Sequence, residues 1–262
     1  MSYVDVINTI QKECHLQLER HSRNIINHNN IFGIEKHMEI ELRLGSYQNR
    51  EKYIKAMYDD NHQHFQNIPQ FACTNLVFDP NLNLSMVELI CKKLKEDTNH
   101  FQRMEQNNMV DHIYKQKKNR KKYQDFDKDS IRKTENICDQ KIIWTRKKRL
   151  SNLNFLHRNK TNLDLRVSIS IEKSLTNDEI TDVIQNYQEV AIRAKNRISF
   201  RYPKKNSLYS VDVTYVQTYQ HHNNPHPQIS NEIEIECLDP TKINYKTLFT
   251  LYIILLKCIK DG

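Results

Sequence analysis

The sequence predicts an α+β fold in which about eight antiparallel strands close into a barrel around a hydrophilic tunnel, with helices packed on the outside. The main observation is that residues 39–43, 193–197 and 232–236 alternate charged with uncharged side chains. Because side chains at i, i+2 and i+4 of a strand share one face, each segment gathers its charges on a single face. A common interior brings these charged faces together and leaves the apolar faces for the helices.

The composition narrows the functional classes. Of the 262 residues, 38% are hydrophobic, which is enough for a core, and the formal net charge is +8. A basic chain favours an anionic partner, although a lysine-rich surface gives the same charge. The six cysteines form no CxxC pair, so we expect free thiols in an intracellular protein. We expect no secretory signal and no membrane association, since the longest apolar stretch, 248–256, is too short to span a bilayer.

Residues 1–262 are predicted to form a single domain with helices at both ends and between strands. Helical spacing of apolar residues predicts the first and last helices. Ser85, followed by Glu88 as in a capping box, is predicted to cap one internal helix, and Thr176 or Asn177 to cap another. The predicted helical segments are 1–30, 51–64, 86–95, 178–191 and 241–259.

Strands are predicted where polar and apolar residues alternate. They are 37–44, closed by Gly45, several pieces between 109 and 150, and 163–171, 193–201, 208–219 and 231–238. Arg166 and Glu172 share a face of one strand, and Asp212 and Thr214 share a face of another. Any half-buried antiparallel strand alternates in this way, so each strand alone is also typical of a solvated polar face. The sorting of charges by sign favours an inward orientation, since solvated faces usually mix signs.

The charged faces predict a metal ion and an anionic ligand. Rows of like charge destabilise a strand face unless opposite charge lies between them. A metal ion on the carboxylates, with a polyanion between the metal and the cations, is the simplest arrangement that satisfies both rows. Because carboxylate oxygens select hard divalent cations, we expect Mg²⁺ or Mn²⁺ rather than zinc.

The order of these strands resembles the signature of the fungal and protozoan-type mRNA-capping RNA 5′-triphosphatases, in the triphosphate tunnel metalloenzyme superfamily. The resemblance covers residues 39 to 236. The matched residues are Glu39, Glu41, Arg43, Arg166, Glu172, Arg193, Lys195, Arg197, Ser199, Phe200, Asp212, Thr214, Glu232, Glu234 and Glu236. Ser210 departs from the pattern, because the yeast-type enzymes carry a basic residue at this place.

The resemblance implies which residues bind the metal and the phosphates. The implied metal ligands are Glu39, Glu41 and Glu236. The implied phosphate ligands are Arg132, Lys147, Arg166, Arg193, Lys195 and Arg197, of which Arg132, Lys195 and Arg197 neutralise the γ-phosphate. Lys147 is matched with an ambiguity of one residue, since a register slip would place Arg146 or Lys148 in the tunnel instead.

The resemblance also implies roles for the remaining acids. Glu172 would orient the attacking water and take its proton, with Asp212 and Glu234 supporting catalysis through water on the metal. Glu232 and Arg43 would form ion pairs inside the tunnel.

The activity implied by the resemblance is removal of the γ-phosphate from triphosphate-ended RNA to give a 5′-diphosphate end, the first step of mRNA capping, in the nucleus. The implied partners are the RNA end and an mRNA guanylyltransferase, and a homodimer is compatible with the resemblance. Two alternatives remain open: a tunnel enzyme acting on inorganic tripolyphosphate or nucleoside triphosphates, and a non-catalytic basic barrel that binds nucleic acid. The second predicts aromatic residues between the cations for base stacking, where Ala194 and Asn196 stand instead.

Overall fold

Strands make up most of the structure. The computed structural model describes residues 2–25, 37–48, 65–67, 77–117, 129–157, 163–220 and 226–260. The helices among them are α1 (Tyr3–Ile25), α2 (Leu84–Glu96), α3 (Asn177–Asn186) and α4 (Tyr245–Lys260). The strands among them are β1 (Met38–Tyr47), β2 (Phe65–Asn67), β3 (Phe78–Asp79), β4 (Gln102–Gln116), β5 (Asp129–Asn136), β6 (Ile142–His157), β7 (Asp164–Ser174), β8 (Tyr187–Tyr202), β9 (Tyr209–Gln220) and β10 (Gln228–Cys237).

Eight of these strands close into an antiparallel barrel, which confirms the predicted fold class. Their order around the barrel is β1, β10, β9, β8, β4, β5, β6 and β7, and β7 pairs with β1 again. The short strands lie off this ring: β3 pairs with the end of β1, and β2 pairs with β6. The first and the last of the described strands are therefore neighbours in the barrel wall.

The outer face of the barrel is apolar and the helices cover it. On β1, Ile40, Leu42 and Leu44 are fully buried, and they belong to the same core cluster as residues of α1, α2 and α4. Burial of apolar surface against the helices stabilises the closed sheet, at roughly 25 cal/mol per Å². Because side chains alternate along a strand, the residues between these apolar ones point into the barrel. None of the described helices has the length and apolar character of a membrane span.

The helix caps were predicted with mixed success. Thr176 caps α3 with the full capping box, in which its side chain and Glu179 exchange hydrogen bonds with the backbone. The prediction of Ser85 as a cap was wrong, because Asn83 takes this role and its Oδ1 accepts from the Ser85 backbone N–H at 2.9 Å. The C-terminal helix also begins later than predicted, at Tyr245, after a short 3₁₀ turn.

Some predicted boundaries were also wrong. The helix predicted over 178–191 ends at Asn186, because the chain from Tyr187 onward pairs with β4 as the start of β8. Strand β4 begins at Gln102 rather than 109, since its polar first half pairs with β8 but shows no apolar alternation. The helix predicted over 51–64 lies outside the described residues.

Gly45 was predicted to end the first strand. This prediction was wrong, because Gly45 lies inside β1. A Cβ atom at this position would come within 2.3 Å of the Asp79 carbonyl oxygen and 2.5 Å of a Phe78 ring carbon. Glycine therefore lets β3 approach the inner side of β1, and the strand continues to Tyr47.

Candidate active site

Two charged strands from opposite ends of the chain meet inside the barrel. In the pair formed by β1 and β10, Glu41 lies opposite Glu236 and Arg43 lies opposite Glu234. Glu39 follows one step further along the same face of β1. Acidic groups from both strands therefore share one region of the interior.

Arg43 neutralises part of this acidic region. Its Nη2 atom lies 3.0 Å from Glu41 Oε1 and 2.6 Å from Glu234 Oε1. Burial opposes ionisation of Glu41, but Arg43 and then Lys147 outweigh it and lower the pKa of Glu41. Burial still raises the pKa of Glu234 despite its ion pair.

Glu232 and Arg193 form a second ion pair further along the interior. The Arg193 Nη2 atom lies 2.7 Å from Glu232 Oε1, which also accepts a hydrogen bond of 3.0 Å from Ser230 Oγ. Arg43 pairs with Glu41 and Glu234, and Glu232 pairs with Arg193, so both residues take part in ion pairs inside the barrel.

Lys147 is the residue of its basic run that enters the acidic region. Its ammonium contacts Glu39 and lies 3.7 Å from Glu41 Oε2, whereas Lys148 is exposed. Burial lowers the pKa of Lys147, but Glu41 and Glu39 outweigh it and raise this pKa. Ser170 Oγ donates a further hydrogen bond of 2.9 Å to Glu39 Oε2. Of Arg146, Lys147 and Lys148, Lys147 is therefore the one whose side chain faces this acidic region.

Among the described carboxylates of this region, Glu236 is the one whose charge is least compensated. No basic side chain among the described residues forms an ion pair with it. Burial, followed by the nearby carboxylates of Glu39, Asp212 and Glu41, raises the pKa of Glu236 to about 8. This carboxylate therefore lacks the positive charge that it needs to ionise readily at neutral pH.

The donor chemistry of this region fits a hard divalent cation. Glu39, Glu41 and Glu236 offer only carboxylate oxygens, the ligands that Mg²⁺ and Mn²⁺ prefer. In the described part of the chain no three acidic, His or Cys side chains are already arranged around a common metal position. Instead, the Lys147 ammonium lies against two of the three carboxylates. A metal ion would compete with this ammonium and would supply the charge that Glu236 lacks.

Three cations on the facing strands are each held by an acid. Arg132 contacts Glu172, and Lys195 contacts Asp111. The Arg197 Nη1 atom lies 3.0 Å from Asp212 Oδ2, and its Nη2 atom lies 3.6 Å from Glu234 Oε2. These carboxylates fix the directions of the three cationic groups before any ligand binds.

Burial lowers the pKa of each of these cations, but the nearby carboxylates outweigh burial in some of them and not in others. For Arg197, the carboxylates of Asp212 and Glu234 outweigh burial and raise the pKa. For Lys195, burial dominates and lowers the pKa to about 8, although Asp111 opposes this shift. Lys195 thus loses its charge more readily than an ordinary lysine.

Asp111 lies in the site but was not predicted from the sequence as a site residue. It is only 2% exposed, it holds Lys195, and it accepts a hydrogen bond of 2.8 Å from Thr134 Oγ1. The available signal was a lone acid between Val110 and Ile113, which is weak because single acids are common in strands.

Ser210, where the yeast-type enzymes have a basic residue, is buried and donates a hydrogen bond to Asp212. Asp212 therefore receives a hydroxyl donor from β9 and a guanidinium from β8. The replacement keeps this carboxylate paired without an added charge.

Comparison with known proteins identifies the family. The family model described as "mRNA capping enzyme, beta chain" matches residues 22–250. The S. pombe RNA triphosphatase Pct1 has a similar structure, with a TM-score of 0.60 at 16% identity, covering 100% of this chain and 92% of that chain. A Mimivirus capping enzyme triphosphatase has a TM-score of 0.52 at 16% identity, covering 100% and 99% of the two chains.

A comparison with curated protein sequences gives no match. The identities to the solved structures are low, so those structures support the barrel fold alone. The family model spans most of the chain and includes both carboxylate strands. The chain therefore belongs to the mRNA-capping triphosphatase family, within the triphosphate tunnel superfamily.

Proposed function

We propose that this protein removes the γ-phosphate from triphosphate-ended RNA in a divalent-metal-dependent reaction and leaves a 5′-diphosphate end. The observation that carries the proposal is the arrangement of the tunnel interior. The carboxylates of β1 and β10 lie side by side, and the wall around them carries cations already oriented by acids. Membership in the capping triphosphatase family supports the same reaction.

The three held cations are suited to the γ-phosphate. Phosphoryl transfer spreads negative charge over the γ-phosphate oxygens, and pre-oriented cations stabilise this charge without reorganisation. Arg132, Lys195 and Arg197 are our assigned γ-phosphate ligands. Their present partners, Glu172, Asp111 and Asp212, keep them in place between turnovers.

Glu172 is our candidate to position the attacking water. It faces the interior and contacts Arg132, which places a carboxylate beside a γ-phosphate ligand. A carboxylate at this place can accept a hydrogen bond from water and take its proton. Asp212 and Glu234 act less directly, because they hold Arg197.

Glu39, Glu41 and Glu236 are our assigned ligands of the divalent metal. A bound Mg²⁺ or Mn²⁺ ion would add positive charge beside the γ-phosphate, which is its usual part in phosphoryl transfer. The carboxylates themselves hold the ion, while Arg43 keeps Glu41 ionised.

Phosphate release from γ-labelled triphosphate-ended RNA, with and without added Mg²⁺ or Mn²⁺, tests the proposal. We expect release of the label only with metal, and a 5′-diphosphate product on thin-layer analysis. Metal-independent release, or a 5′-monophosphate product, would contradict the proposal. Activity confined to inorganic tripolyphosphate would assign the protein to a different reaction of the same tunnel fold.

We further propose that the diphosphate-ended product passes to an mRNA guanylyltransferase, in the nucleus. The support is the family alone, because a diphosphate end is the substrate that a guanylyltransferase caps. Co-elution of the two purified proteins from the same organism on a sizing column would test a direct contact, and separate elution would contradict it.

A further inference from the structure

The basic run of β6 divides between the two faces of the barrel wall. Lys147 points into the tunnel, where its ammonium contacts Glu39. Because side chains alternate along a strand, Arg146 and Lys148 point to the outside of the barrel. The proposed active site therefore uses the inward side of this run and leaves the two outward cations without a role.

Neighbouring strands add further cations to this outer face. Lys133 of β5 lies opposite Trp144, and Lys173 of β7 lies opposite Arg146. Both lysines point outward, because the residues directly before them form an ion pair with each other inside the tunnel. We call Lys133, Trp144, Arg146, Lys148 and Lys173 the outer stripe.

An aromatic pair lies among these cations. The ring centres of Trp144 and Tyr114 are 5.3 Å apart, with planes inclined by 35°, and the Lys133 Nζ atom lies 6.0 Å from the centre of the Trp144 ring. Both aromatic side chains are half-buried. Proteins that bind single-stranded nucleic acid combine rings, on which bases stack, with cations that follow the phosphates. The cations of β8 inside the tunnel have no aromatic residue between them, so this arrangement belongs to the outer wall.

The nearby acids do not neutralise the whole stripe. Three acids of this wall each have a cationic or histidine partner, and they are Glu135 with Lys133, Glu179 with Lys173, and Glu189 with His112. Within the described ranges, neither Arg146 nor Lys148 forms an ion pair with an acid, and Lys148 is exposed. The stripe therefore keeps positive charge for a polyanion, and RNA is the polyanion of the proposed reaction.

The outer stripe begins at one mouth of the barrel. Strand β6 starts at Ile142, two residues before Trp144, and β7 ends at Ser174. Glu172, our candidate for positioning water, lies only two residues before this end of β7. An RNA whose 5′ end enters by this mouth can therefore lay its following nucleotides along the stripe.

We propose that the outer stripe binds the body of the RNA, with bases stacked on Trp144 and Tyr114 and phosphates held by Arg146, Lys148 and Lys173. This inference rests on the proposed function, because it takes triphosphate-ended RNA as the substrate. The tunnel holds the 5′ end, and the stripe supplies affinity that does not depend on the base sequence.

The fluorescence of Trp144 tests this surface directly, because it is the only tryptophan of the chain. The probe is an oligoadenylate with a 5′-hydroxyl end, titrated in metal-free buffer, so that neither a triphosphate nor hydrolysis takes part. We expect saturable quenching as a base stacks on the indole. Binding should weaken with salt, with a log–log slope of about 0.7 for each phosphate contact. Absence of quenching would overturn the proposal.

The double variant Arg146→Gln/Lys148→Gln keeps the fluorescent reporter and removes two of the cations. It should bind the oligoadenylate more weakly, with a smaller salt slope, by about 0.7 for each lost contact. Lys92→Gln/Lys95→Gln is the matched control, because it removes the same charge from exposed positions of α2. This control should bind like the wild type. Equal weakening in both double variants would indicate diffuse attraction to a basic protein and would overturn the proposal.

Trp144→Leu tests the stacking. Anisotropy of a labelled oligoadenylate should show a loss of affinity of at least about fivefold, as the loss of one stacked base implies. Thermal unfolding verifies that the variant is folded. If it is not, Trp144→Phe keeps a smaller ring in the same place and should still bind more weakly than the wild type. Unchanged affinity in the folded variant would refute the stacking.

Kinetics connect the stripe to the reaction. With triphosphate-ended RNA, Arg146→Gln/Lys148→Gln should raise KM and leave kcat unchanged, since the stripe binds substrate and transition state equally. With inorganic tripolyphosphate, which has no RNA body, the same variant should match the wild type. Equal impairment with both substrates would overturn the proposal, because it would mean that the variant disturbs the tunnel itself.

Two further outcomes separate the surface from the proposed function. A protein that binds the oligoadenylate through the stripe but releases no phosphate from triphosphate-ended RNA would refute the proposed function and leave the RNA-binding stripe standing. Polyglutamate at the same concentration of charges should displace the oligoadenylate poorly, because it offers no bases to stack. Displacement by polyglutamate as effective as by unlabelled RNA would assign the stripe to an acidic protein segment and overturn the proposal.

Discussion

Glu41 of β1 lies directly opposite Glu236 of β10 in the strand pair that closes the barrel. Carboxylates in this position repel each other, and the repulsion is stronger in a buried site. Arg43 and Lys147 compensate Glu41, whereas Glu236 pairs with no basic side chain in the described part of the chain. Loss of charge at Glu236 is therefore expected to affect metal binding rather than folding.

Glu236→Gln should abolish metal-dependent hydrolysis while the barrel stays folded. A direct metal ligand matters at least as much as its supporting residues, so we expect a fall of at least about 100-fold in activity. Without metal, the variant should unfold at the same temperature as the wild type or higher, because repulsion with Glu41 is relieved. Activity is measured over a Mn²⁺ titration and folding by circular dichroism. Near wild-type turnover at saturating Mn²⁺ would exclude Glu236 as a ligand.

Arg197→Ala and Glu172→Gln should impair the enzyme in different ways. Arg197 is assigned to the γ-phosphate, so its loss weakens both substrate binding and the transition state. Glu172 is assigned to water, so its loss falls on turnover. Calorimetry with a non-hydrolysable triphosphate should show weaker binding, by about tenfold or more, only for Arg197→Ala. An equal loss of binding in both variants would reject this division of roles.

The activity should depend on the charge of Lys195. Burial lowers the pKa of Lys195 to about 8, so the ammonium form is present below this pH and is lost as the pH rises through it. We expect kcat/KM, which reports the free enzyme, to decrease above about pH 8. An arginine at position 195 keeps its charge to much higher pH. In Lys195→Arg, kcat/KM should therefore begin to decrease at a higher pH than in the wild type, even if its maximum value is lower. An unchanged alkaline limb in this variant would assign the titration to another group.

Lys147→Met should bind Mn²⁺ as tightly as the wild type or more tightly in the absence of substrate. The Lys147 ammonium lies against Glu39 and near Glu41, where it competes with a divalent cation. Calorimetric titration with Mn²⁺ measures the effect, and Lys148→Met is the control, since Lys148 is exposed on the same strand. Markedly weaker Mn²⁺ binding in Lys147→Met alone would show that Lys147 organises the carboxylates instead of competing with the metal.

Gly45→Ala should destabilise the protein by about 1 to 3 kcal/mol, as overpacking typically does. The added Cβ would meet the Asp79 carbonyl oxygen at 2.3 Å, and the backbone there cannot move without breaking the pairing of β3 with β1. Urea unfolding measures the change in the free energy of unfolding. Ser46→Ala, at the next position of β1, is the control and should change it much less.

Site residues could be predicted from the sequence where charged residues repeat at every second position of a strand. Glu39, Glu41, Glu232, Glu234 and Glu236 were found because charges repeated at every second position. Single charged residues could not be found in this way. Asp111 stands alone in a strand of mixed composition, so its inward direction emerges only from the pairing of β4 with β5 and β8.

Pairing between strands that are distant in the sequence also could not be predicted. The ambiguity among Arg146, Lys147 and Lys148 was a question of register, which depends on how β6 pairs with β7. The early end of α3 has the same origin, because pairing with β4 outweighs the local helical pattern after Asn186. Local signals such as the capping box at Thr176 were readable because all their atoms lie within one turn.

The closing pair of β1 and β10 gives the proposed metal ion a mechanical role as well as a chemical one. Its proposed ligands Glu39 and Glu41 lie on β1 and Glu236 lies on β10, so the ion would hold these two strands together along their shared edge, the seam of the barrel. Any opening of the seam would then release the ion, and the ion would oppose opening by a free energy that grows with the logarithm of its concentration divided by its dissociation constant. Backbone amides along this one seam should accordingly exchange with solvent more slowly once Mn²⁺ is bound, while those of the opposite wall change little.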